Sequence, residues 1–113
     1  PIDNERRERG GVFAITRMAY DDAEFLFFGW EDDPDPKPTQ AIQVRLGVNH
    51  DMRIAVVRRM IALIQEREQG EFQWQSLRLG RIVVLSARPD DSFGLEDFLL
   101  REFFETWQAA GPR

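Results

Sequence analysis

Cysteine is absent from this 113-residue chain. That removes disulfides, thiolate metal sites and cysteine nucleophiles together. Lysine occurs once, at Lys37, so the positive charge is almost all arginine, scattered along the chain. Histidine also occurs once, at His50. No apolar run approaches the roughly 20 residues that span a bilayer, and no signal-peptide pattern opens the chain; it reads as cytoplasmic, with no membrane partner. The net charge of −5 argues against a nucleic-acid partner, because such binders need cations to displace phosphate counterions. No glycine loop is placed to cradle a phosphate: Gly10–Gly11 precedes a strand rather than a helix. No cofactor and no small-molecule site is implied.

What is present suffices for one folded domain. Hydrophobic residues make up 42% of the chain, enough for a single core without staples, and the charged residues are mixed in sign rather than massed as in a disordered segment. Residues 1–10 lack apolar periodicity and read as a flexible N-terminal arm. The single α+β domain is expected over residues 11–113.

Residues 11–20, GVFAITRMAY, have the branched and aromatic content of a strand. EFLFFGW (24–30) is a second strand, apolar at both parities, so it is covered on both faces or carries one face for a partner. EDDPDPKP then ends it, because prolines lack ladder donors and its acids keep an apolar edge soluble. AIQVRLGV (41–48) alternates with Ile42, Val44, Leu46 and Val48 on one face. A helix is expected over 49–70, capped by Asn49 or Asp51 and ended by a left-handed Gly70. Its stripe holds Ile54, Val56, Val57, Met60, Ile61, Leu63 and Ile64, with Ala55 on the other side. EFQWQSLRL (71–79) changes parity after Trp74, which predicts a bulge near Gln75–Ser76. Gly80–Arg81 turns the chain into RIVVLSA (81–87). A closing helix is expected from about Phe93 to Ala110.

The order is thus β-β-β-α-β-β-α, an antiparallel sheet packed with two helices. The closing helix carries two apolar rows, Leu95/Leu99/Phe103 and Leu100/Phe104/Trp107, covering about half its circumference. That is more than one contact needs, and the second row is a candidate protein interface. The expected contact residues are therefore Leu100, Phe104 and Trp107, with Phe25 and Phe27 of the FLFFGW strand; a thick internal core is the alternative.

The strand pair GEFQWQSLRLGRIVVLSARPDD followed by the helix LEDFLLREFFETWQ, after a three-strand meander and a helix, resembles the Tir-chaperone-like superfamily, which includes type III secretion chaperones. The likeness spans residues 11–110 and consists of element order and hydrophobic spacing. It implies a small, acidic, bacterial, dimeric chaperone. Members normally begin with an amphipathic helix, which residues 1–10 do not supply, and no functional residue carries over.

Candidate chemistry is sparse. His50 beside Asp51 suggests a general base oriented by a carboxylate, although neighbours on a helix do not face each other. Ser76, Ser86 and Ser92 lack a nucleophile-elbow context. Glu31, Asp32, Asp33 and Asp35 invite a cation, but positions six and twelve counted from Asp33 are Pro38 and Val44, which rejects an EF-hand. Asp21–Asp22, Asp90–Asp91 and Glu96–Asp97 suit turns and helix starts. Arg53, Arg58 and Arg59 suit an acidic partner or a solvated face. No catalytic residue and no metal ligand is assigned. The reading is a non-enzymatic protein-interaction module, dimeric and chaperone- or adaptor-like. The alternatives are an acidic inhibitor, antitoxin or immunity-type protein masking a basic site, or a divalent-metal-dependent enzyme.

Overall fold

The structure is a computed structural model and describes residues 9–10, 12–30, 34–35 and 38–104. It is an α+β fold in the expected order, with one short strand added in front. β1 (Arg9–Gly10), β2 (Phe13–Met18), β3 (Asp22–Phe27) and β4 (Gln40–Arg45) form an antiparallel sheet in that order. Helix α1 (Met52–Arg67) follows. β5 (Glu71–Ser76) and β6 (Arg81–Ser86) form a separate antiparallel ribbon, and helix α2 (Ser92–Phe103) closes the described chain after a 3₁₀ turn at Pro89–Asp91. Arg9 and Gly10, expected in a flexible arm, pair instead with Ala14 and Phe13. The rest of that arm lies outside the described residues.

The sheet faces α1 through alternate residues. Phe13, Ile15, Ala23, Phe25 and Val44 are buried on one side, as a period of two dictates. Their partners on α1 include Ala55, Val56, Val57, Met60 and Ile64; Ala55, expected on the solvent side, is 3% exposed. Asp51 caps α1, accepting from the Arg53 backbone N–H at 2.7 Å. The helix leaves through an extended Glu68 that runs directly towards β5, so Gly70 does not take the left-handed conformation expected of it. A chain of rings then ties the layers together: Phe13 meets Phe25 edge-on at 5.3 Å and Trp74 at 6.1 Å, and Trp74 meets Phe103 at 6.3 Å.

Three local expectations are corrected. The bulge sits between Ile15 and Arg17 of β2, where the Thr16 hydroxyl is within reach of the Glu24 carbonyl (3.2 Å) and carboxylate (3.0 Å). β5 keeps its alternation to the end, because Ser76 rather than a leucine fills the last inward position. Val48 is 98% exposed: β4 ends at Arg45, and Gly47, at φ +59°, turns the chain outward. The closing helix stops at Phe103, and Phe104, just past its end, packs against the core. Successive helical residues point about 100° apart, so leaving the helix is what lets both aromatics reach the interior. Residues 105–113 lie outside the described residues.

Candidate functional site

The second row of α2 does not form an outward face. Leu100 is 3% exposed and joins Leu95, Leu99 and Phe103 in the core, while Phe104 is half-buried against it. Trp107 lies outside the described residues. Phe25 is fully buried beneath α1 and Phe27 is half-buried, 5.6 Å from both Phe13 and Trp30. Leu100 and Phe25 are therefore core residues of this subunit, which corrects their assignment to a contact surface. The wide stripe exists because α2 packs on α1 with one side and reaches the β5–β6 ribbon with the other.

Glu102 was not singled out from the sequence, yet it organises that second side. It is 3% exposed and receives a ring of donors: Trp74 Nε1 at 3.2 Å, Ser76 Oγ at 2.8 Å and the Leu77 backbone N–H at 3.1 Å. The Arg78 guanidinium stands 3.6 Å away. Ser76 Oγ in turn accepts from the Leu79 N–H at 3.0 Å. A buried carboxylate is tolerated when every oxygen is bonded in this way. The network seats the 77–80 loop on α2, and Gly80, at φ +69°, completes the turn. The signal in the sequence was a lone acid inside an otherwise apolar row.

Seating the ribbon this way leaves its other face outward. Phe72, Trp74 and Ser76 are buried, and Val83 and Leu85 pack behind them. Ile82 and Val84, of opposite parity, are 57% and 61% exposed, and the loop leucines Leu77 and Leu79 are 41% and 40% exposed. All four belong to one hairpin. Among the described residues β6 pairs only with β5. Ala87 donates its N–H to the Gly70 carbonyl at 2.9 Å. Antiparallel ladders alternate inward and outward bonding residues, so the backbone groups of Arg81, Val83 and Leu85 point to β5 and those of Ile82 and Val84 point away.

Several of the remaining candidates bond within the fold. The Asp51 carboxylate takes both Nε (3.0 Å) and Nη2 (2.8 Å) of Arg53, which holds its pKa below the usual range. It does not orient His50, which is exposed. Ser86 Oγ bonds Asp91 at 2.6 Å, and Ser92 Oγ accepts from Gln65 at 3.3 Å. Arg58 binds Glu96 at 2.8 Å and Asn49 at 3.0 Å; the Glu96 carboxylate raises the guanidinium pKa. This pair lines an open depression of about 500 Å³ together with Phe93. Glu31, Asp32 and Asp33 lie outside the described residues, Asp35 is exposed, and among the described residues no three carboxylate or imidazole groups converge on a metal position. No described helix is long and apolar enough to cross a membrane. No protein family, curated protein or solved structure was found to match the chain.

Proposed function

We propose that this chain is a non-enzymatic protein-interaction module, a small acidic chaperone- or adaptor-like protein that works in the bacterial cytoplasm as a dimer. One observation carries the reading: Leu77, Leu79, Ile82 and Val84 are exposed together on a hairpin whose strand edge has no described partner. Contiguous exposed apolar surface marks contact sites, and the closeness of these four residues along one hairpin supports that reading. The element order, with its likeness to Tir-chaperone-like proteins, supports the same reading. The acidic-mimic alternative would gather unpaired carboxylates on one face. Here Asp22, Asp51, Glu96 and Asp97 each stand beside an arginine.

The test is affinity capture with the full chain, followed by titration of the purified partner from 50 to 500 mM salt. A stoichiometric complex whose affinity changes little is the expected result, because apolar contact is only weakly screened. A steep fall with salt would transfer the assignment to the acidic-mimic reading. Stoichiometric divalent-cation binding in calorimetry would overturn the non-enzymatic reading.

A further inference from the structure

We infer that the β5–β6 ribbon is a hinged flap: it loosens as one unit while α1, α2 and the four-stranded sheet stay folded, and Glu102 is the latch that holds its tip down. Among the described residues the two strands pair only with each other, and no backbone hydrogen bond joins them or their turn to the rest of the fold. The chain enters the ribbon at Gly70 and leaves it at Ala87. These two ends are tied together, the Ala87 N–H donating to the Gly70 carbonyl at 2.9 Å. The excursion between them can therefore loosen without pulling α1 and α2 apart.

The ties that hold the flap lie at its two extremities and along one face. At the base, Gln65 Nε2 donates to the Ala87 carbonyl at 3.2 Å. Along the inner face, Phe72 and Trp74 enter the core. At the tip, Glu102 accepts from Trp74, Ser76 and Leu77, and the Arg78 guanidinium lies over the Phe98 ring at 5.3 Å. Glu102 is the one charged side chain buried among the described residues. All three of its donors belong to the ribbon and its turn, so its bonds exist when the flap is down and are lost when it lifts. A two-stranded ribbon is marginal in water by itself, so lifting and loss of strand pairing are one event. What stays behind keeps its own core, with Phe25, Val56, Val57, Met60 and Ile64 buried between the sheet and α1 and α2 packed on α1. Partial openings are drawn from the parts of a fold with fewest ties to the remainder. The opening stands whether or not the outer face of the hairpin meets a partner.

Native-state amide exchange of the full chain, followed in urea below the unfolding transition, tests this. The amides of Phe72, Trp74, Val83 and Leu85 bond across the ribbon. They are expected to form one class, exchanging at least about 10-fold faster than those of Phe25 and Met60. Their dependence on urea should be shallower, since less surface is exposed in the opening. Glu102→Gln is expected to raise their exchange about 10-fold or more at an unchanged urea dependence, because charge-assisted bonds are lost from the closed form. Ribbon amides that share the protection and the urea dependence of Phe25 and Met60 overturn the separate opening. Ribbon exchange left unchanged by Glu102→Gln overturns the latch. If that variant does not fold, Ser76→Ala, which removes one donor, decides the second point: a rise of about 5-fold is expected, and no rise overturns the latch.

Discussion

The two antiparallel sheets of this protein end in opposite ways. The outward face of β2–β4 is closed by side chains bonded across strands: Arg17 reaches Asp22 at 2.7 Å and Gln43 at 3.1 Å, and Gln43 and Thr16 both reach Glu24. Its last strand, β4, shows Gln40, Ala41, Gln43 and Arg45 to solvent. The ribbon has glutamines and Glu71 on β5, but its edge strand shows Ile82 and Val84. Both sheets thus end in an edge strand with no described partner beyond it, but the edge strand of the ribbon shows large apolar residues where β4 shows mostly polar ones. The difference is what the proposed contact surface on the ribbon rests on, because natural edges are normally protected.

The comparison can be broken at either end. Phe25→Ala should have the largest effect: it empties a fully buried site under α1 and is expected to lower stability by about 3–5 kcal/mol in urea unfolding. Glu102→Ala comes next, at about 2–4 kcal/mol, since it leaves the donors of Trp74, Ser76 and Leu77 unpaired at a buried site. Its signature separates the sheets: amide exchange should accelerate across β5 and β6 more than across β2–β4. A uniform acceleration would show that Glu102 supports the whole fold and not the ribbon in particular.

Asp51→Ala should cost about 1 kcal/mol as a lost helix cap, and the sheets should respond alike. The pKa of Asp51 is lowered by its bonds to Arg53, so the folded state binds this proton less readily than the unfolded one. The stabilisation is complete above the ordinary aspartate value near pH ~4 and is lost as pH falls through the lower folded value. The difference between wild type and variant, measured by urea unfolding at pH 7 and in acid, should therefore shrink on acidification.

Much of the scaffold was legible because it depends on local periodicity. The alternation of Ile42 and Val44, the stripe on α1 and the Asp51 cap each predict what is observed, with strand and helix ends displaced by a few residues. The proposed contact surface was not legible, for a physical reason. Width of an apolar stripe does not say whether the second side meets solvent or another layer of the same subunit, and on α2 Leu100 meets the same subunit. Equally, RIVVLSA is apolar at both parities, as EFLFFGW is, and only the fold decides which strand is covered. One face of β3 lies under α1 and both its edges are paired, whereas β6 is paired on one side and shows Ile82 and Val84 outward. Glu102 became interpretable only when Trp74, Ser76 and Leu77 were found around it, some 25 to 28 residues away in sequence.

Amide exchange measured residue by residue on β6, with and without the captured partner, addresses the central claim most directly. The account predicts that the Val83 and Leu85 amides are protected in both. Those of Ile82 and Val84 should exchange freely in the free chain and become protected in the complex. Ile82 and Val84 amides that stay unprotected in the complex would contradict it.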